Sequence, residues 1–120
     1  MQQFVLMIYH GSSPLPGTGA WQALPEEEQK RIYQEYGALN GTAGVTPGLP
    51  LGLPKEAKTV RAAKGQAQVA DGSYCEAAQA VGGYLVLEAE DLEAAVRIAA
   101  RIPAARLGGA VEVRPAAKYW

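Results

Sequence analysis

Six consecutive residues near the start of the chain, Phe4 to Tyr9, are apolar on both alternating sets. In a strand, Phe4, Leu6 and Ile8 face one way and Val5, Met7 and Tyr9 the other. A strand that is apolar on both faces needs cover on both. The run is too short to span a membrane and lacks the basic flank and length of a secretory leader. It therefore reads as a core strand, and its second face must be sealed by something beyond one layer of helices.

The rest of the chain supplies the first layer. Gly11 to Ala20 is a loop by composition, long enough to act as a lid. Pro25 suits the first position of a helix, and Glu26, Glu27 and Glu28 complement its N-terminal dipole. Ile32, Tyr36 and Leu39 form the apolar stripe, Tyr33 flanks it, and Asn40-Gly41 marks the stop. Leu24 offers no side-chain cap, so the first turn is expected to fray. From Gly41 to Pro54, prolines and glycines interrupt Val45, Leu49, Leu51 and Leu53, which predicts a short or bulged edge strand. Lys58 to Ala62 and Gln66 to Ala70 read as strands turned at Gly65. As strand residues, Lys58 and Arg61 point to opposite faces and form no basic stripe.

Tyr84 to Ala89 is a further strand. Asp91 is a good N-cap for a second helix, with Leu92, Ala95, Val96, Ala99 and Ile102 as its expected buried stripe and Pro103 as its end. Gly109 to Arg114 alternates Val111 and Val113 with Glu112 and Arg114, a half-buried strand. The tail closes on the aromatic pair Tyr119-Trp120. Strand, helix, short strands, strand, helix, strand is the β-α-β-β-α-β order of ferredoxin-like α+β folds with an antiparallel sheet. Two helices cover one face of that sheet. A second copy is the simplest cover for the other, which predicts a homodimer packed sheet to sheet as a dimeric α/β barrel. At 120 residues the chain is expected to be one domain, residues 1–120.

Charge and cysteine content narrow the function. A formal net charge of -1 gives no basic excess for nucleic acid or an anionic membrane. One Cys forms no internal disulfide, which suits a reducing, cytoplasmic setting. One His and one Cys are too few for a closed structural zinc site. No phosphate loop, dinucleotide fingerprint, metal triad or nucleophile elbow is present, so no cofactor is expected.

The chemistry-bearing residues collect between Val69 and Tyr84. A strand ends at the turn signal Asp71-Gly72, a polar loop carries Ser73, Tyr74, Cys75 and Glu76, and Gly82-Gly83 leads into the next strand. Asp71-Gly72-Ser73-Tyr74-Cys75-Glu76 followed by Gly82-Gly83-Tyr84 resembles the signature of the DGPF branch of the YCII-related proteins, Asp-Gly-Pro-Phe-x-Glu-Thr-Lys-Glu and then Gly-Gly-Tyr or Gly-Gly-Phe. The resemblance extends to Ile102-Pro103-Ala104-Ala105 and Val111-Glu112-Val113-Arg114-Pro115, and covers nearly the whole chain. Ser73, Tyr74, Ala78 and Gln79 depart from it, and with Ala78 the signature lysine is gone. The resemblance implies the dimeric α/β barrel superfamily. A His and an Asp form the proposed active pair in YCII proteins outside this branch, but that pair does not map residue by residue onto this chain.

Three residues are the catalytic candidates. His10, at a strand end, is the side chain whose ordinary pKa lies nearest neutrality; as a lone histidine it is equally read as structural. Asp71 fits a general base or an orienter of His10, and fits equally a turn residue bonded to nearby backbone. Glu76 fits an acid–base partner, or an ion pair with Arg61 or Arg114. Ser73, Tyr74 and Tyr84 are the candidate ligand contacts, with loop fixing and core packing as the plainer readings. Cys75 would need a neighbouring base to become a nucleophile. Trp21 fits a pocket wall or the core. Two functions follow as expectations. One is a pocket for a small organic molecule at the sheet and dimer interface, with cofactor-free acid–base chemistry. The other is a non-catalytic ligand-binding or regulatory module, linked to transcription through partner proteins such as those of sigma factors.

Overall fold

The computed structural model describes residues 1–119; Trp120 of the terminal aromatic pair lies outside the described residues. In chain order the elements are β1 (Gln2–Tyr9), α1 (Gly19–Gln22), α2 (Glu26–Asn40), β2 (Val45–Pro50), β3 (Lys58–Ala63), β4 (Gln66–Asp71), β5 (Val81–Ala89), α3 (Leu92–Ala99) and β6 (Ala110–Pro115). Four strands form one antiparallel sheet in the order β2-β5-β1-β6, and β3 and β4 pair as a separate ribbon. With the ribbon as an insertion, the arrangement is ferredoxin-like.

The register explains the core. Phe4 lies opposite Leu87, and Leu6 is flanked by Leu85 and Val113. These side chains share the helix-covered face because alternate residues of paired strands project to the same side. Phe4, Leu6 and Leu87 are fully buried there with Leu39 of α2 and Ile102 beyond α3. Burying a side chain of this size contributes about 1.5–3 kcal/mol. Ala95 and Ala99 are the buried residues of α3. With such small side chains at the contact, that helix can lie close to the sheet.

The expected stripe of α3 is partly wrong. Leu92 and Val96 are about half exposed, at 51% and 50%. At 100° per residue they lie roughly 60° and 100° round from Ala95, on one flank of the helix. The contact line runs instead through Ala95, Ala99 and Ile102, with Ile98 packed partly against it. The Asp91 cap is as expected: its carboxylate accepts from Ala94 N at 2.8 Å. Helix α2 starts at Glu26, with Pro25 in the cap position and no side-chain acceptor. The loop expected over Gly11 to Ala20 also contains the start of α1, whose Thr18 hydroxyl accepts from Trp21 N at 3.3 Å.

Strand β2 is the bulged edge strand that its prolines predict, with its register to β5 shifting between Pro47 and Pro50. Gly48 sits in that bulge, where a Cβ would fall 2.2 Å from the Tyr84 carbonyl oxygen. The β3–β4 ribbon turns through Lys64 and Gly65, both at positive φ (52° and 76°), the backbone of a tight primed hairpin turn. Apart from a half-buried Thr59, every residue of its two strands is exposed.

The face of the sheet away from the helices is open. Val5, Met7 and Tyr9 are half buried there and Tyr84 is 38% exposed, while Phe4, Leu6 and Ile8 on the other face are sealed. The Cα envelope is a slab of 48 × 42 × 18 Å with a radius of gyration of 16.1 Å. A compact chain of this length has about 13.6 Å. Among the described residues no helix is long and apolar enough to cross a membrane.

Candidate functional site

A cavity of about 660 Å³ lies on the helix-covered side of the sheet, over the ends of β1 and β5. Ile8, Gly82 and Gly83 lie on its sheet side, and Ile32, Tyr33 and Tyr36 of α2 on its helix side. Two proline- and glycine-rich loops complete it. One brings Pro14, Leu15 and Pro16; the other, the end of β2 and beyond, brings Leu49, Leu51 and Leu53. Past the bulge at Gly48 the chain re-pairs with β5 at Pro50 and Gly83, and Leu51 N donates to the Gly82 carbonyl at 3.0 Å, which sets Leu49, Leu51 and Leu53 along the cavity. This cavity lies within one chain, on the helix-covered side of the sheet rather than on its open face.

Trp21 is buried at the cavity wall. The Thr18 cap fixes its backbone, and Gln29 Nε2 of α2 donates to its carbonyl at 2.8 Å. Its ring meets Tyr33 edge-on, with centroids 5.3 Å apart at 69°. Tyr36 is held as a neutral phenol: burial pushes its pKa up, against a hydrogen bond with the Ala104 backbone.

His10 follows β1 directly and its ring packs across Gly82. A Cβ at position 82 would fall 2.1 Å from His10 Cδ2 and 2.7 Å from Nε2. Burial holds the imidazole pKa below its ordinary value of 6.5, opposed by a hydrogen bond to the Gly82 backbone. A lowered pKa leaves the ring neutral at pH 7. Its Nδ1 is fully buried and has no hydrogen-bond partner, a cost of about 1–3 kcal/mol for a polar group. Glu56 is the charged residue at the cavity. Its Oε2 accepts from Leu53 N at 2.6 Å, which ties the carboxylate to its own turn.

The residues singled out in the sequence divide into two places. His10 lines the cavity, and Tyr84 borders it from β5 while sharing the open face with Met7. Asp71 does neither; it closes the base of the ribbon, where its carboxylate pairs with Lys58 Nζ, both side chains largely exposed. Glu76 caps a single turn through its carbonyl, which accepts from Gln79 N at 2.8 Å. Among the described residues no cation pairs with its carboxylate, so neither Arg61 nor Arg114 does. The Ser73 hydroxyl donates to the Cys75 carbonyl at 2.5 Å, and Tyr74 lies under the Arg61 guanidinium at 5.8 Å. The Cys75 thiol is free and exposed. Ser73, Tyr74 and Cys75 line a shallower cleft of about 410 Å³, which shares Leu51, Leu53 and Glu56 with the main cavity. Asp71 and Glu76 are not brought to His10.

Sequence reasoning passed over Glu56 and treated Tyr33 and Tyr36 as helix packing. The available signal was the proline–glycine run from Pro47 to Pro54, which cannot pack as a regular strand and so is free to roof a cavity.

Comparison with protein-family models finds that a YCII-related domain matches residues 12–118. The match is to the family as a whole rather than to its DGPF branch. Comparison with curated proteins finds no match.

Proposed function

This chain belongs to the YCII-related family, and from that premise we propose that it binds a small, mainly apolar organic molecule in the cavity over β1 and β5. The observation that carries this reading is the cavity itself. Its volume of about 660 Å³ falls in the range of ligand pockets, roughly 300–1,000 Å³. Its walls are aliphatic and aromatic with a few polar groups, among them a His10 whose Nδ1 has an unmet hydrogen bond. Binding without catalysis is the favoured form. Acid–base chemistry would rest on His10 and Glu56, since Asp71 and Glu76 lie elsewhere; the imidazole Nδ1 has no partner to orient it, and the Glu56 carboxylate is tied to the Leu53 amide.

The working unit in this reading is a homodimer. Val5, Met7, Val86 and Tyr84 present an apolar stripe on the open face, and the ribbon exposes the cross-strand pair Val60 and Val69. A two-stranded ribbon is marginally stable by itself, so a second copy lying over sheet and ribbon meets both needs. Light scattering at micromolar concentration tests this: a 12.7 kDa monomer removes the dimer.

Trp21 provides the test of binding. In a Trp120→Phe background, tryptophan fluorescence reports the cavity wall alone. A panel of aromatic and aliphatic fragments at millimolar concentration is expected to shift or quench that emission, and Ile32→Phe is expected to weaken the response by filling part of the cavity. No response across the panel overturns the reading.

A further inference from the structure

We propose that the cavity selects its ligand by charge, taking a protonated amine on an apolar body and rejecting a carboxylate of the same shape. This rests on the reading of the cavity as a binding site and adds the chemical class of the ligand.

Charge placement carries the inference. Among the described residues lining the cavity there is no lysine or arginine, and Glu56 is the charged side chain. Lys55 precedes Glu56 on the same turn but is not among the lining residues, and several other cations are engaged elsewhere. Lys58 pairs with Asp71, and Arg61 lies over Tyr74. Arg106 pairs with Glu28 and Glu35, and Arg101 donates to Thr42. An anionic ligand would lose its hydration with no counter-charge to replace it. His10 adds no positive charge, because burial keeps its ring neutral at pH 7.

An amine meets the opposite surroundings. Trp21, Tyr33 and Tyr36 line the cavity, and the negative face of an aromatic ring attracts a cation. Glu56 is exposed, so it stands where the cavity meets solvent. Its Oε2 holds the Leu53 amide, and among the described residues no cation pairs with the carboxylate. The side chain is thus held in place by one oxygen and retains acceptor capacity for an ammonium group. The ligand's apolar body then extends inward against Ile8, Ile32 and Leu49.

The test uses three probes of matched shape on the full chain: 2-phenylethylamine, 2-phenylethanol and 3-phenylpropionate, titrated by calorimetry at pH 7. The amine is expected to bind about tenfold or more tighter than the acid, with the alcohol between. Glu56→Gln keeps an oxygen for the Leu53 amide and removes the charge. It is expected to bring the amine to within about threefold of the alcohol. Binding of all three with no preference, or an amine preference that survives Glu56→Gln, overturns the charge selection and leaves the binding site standing. Binding of none overturns both.

Discussion

Replacing Gly82 by alanine tests whether the His10 ring is clamped against the β5 backbone at the cavity floor. The added Cβ would fall 2.1 Å from His10 Cδ2, 2.7 Å from Nε2 and 3.2 Å from Cγ. Carbon atoms in contact prefer about 3.5–4.0 Å, so the ring must retreat by more than an ångström. Because Cγ is also too close, a small tilt is insufficient. The ring swings away and loses its hydrogen bond to the Gly82 backbone, or β5 shifts. Overpacking of this kind costs about 1–3 kcal/mol. The backbone entropy that glycine loses on folding, about 0.5–1 kcal/mol relative to alanine, offsets part of it. Position 82 is not among the positive-φ glycines, so left-handed strain adds nothing. The net loss is about 0.5–2 kcal/mol, or about 2–8 °C in Tm for a chain of this length. Thermal melts followed by circular dichroism measure it, at one protein concentration because self-association moves Tm. In a His10→Ala background the Cβ meets no ring, and the same substitution is expected to be neutral or stabilising. An equal loss in both backgrounds would refute the clamp.

Two further outcomes follow from the caps and the imidazole. Asp91→Ala removes the acceptor for Ala94 N and is expected to cost about 1 kcal/mol in urea unfolding, with Asp91→Asn close to wild type. Burial lowers the His10 pKa from 6.5, so the unfolded chain takes up its proton first as pH falls. Stability attributable to this group is therefore full above that value, declines as pH drops through it, and is lost once pH passes below the lowered pKa of the folded state. Urea midpoints from pH 5 to 8 are expected to fall more steeply on acidification for the wild type than for His10→Gln; parallel curves would contradict the burial of the ring.

The helices and strands were legible because their signals are local. The stripe of α2, the Asp91 cap, the Pro103 stop and the bulged edge at Pro47 to Pro50 each depend on residues within a few positions of one another. The two-sided apolarity of β1 was legible for the same reason, and the structure seals the Phe4, Leu6 and Ile8 face as expected. Apart from the short α1 inside the expected loop and Pro25 at the cap of α2, the departures involve distance along the chain. Leu92 and Val96 carry the right hydrophobicity, but the rotation of α3 was decided by where Ala95 and Ala99 meet the sheet.

The candidate site divides along the same line. The stretch from Val69 to Tyr84 looked like one site because its polar residues are neighbours in sequence. Asp71 is drawn to Lys58, thirteen positions away in the ribbon, while Gly82 is drawn to His10 by the pairing of β5 with β1. Residue order alone is enough to specify most of the elements and their succession, since periodicity and turn chemistry act over a few residues. The tertiary structure alone decided where the cavity lies and which groups face it. Burial and charge at a point in space depend on segments as far apart as Trp21, Glu56 and Gly82, which local pattern does not relate.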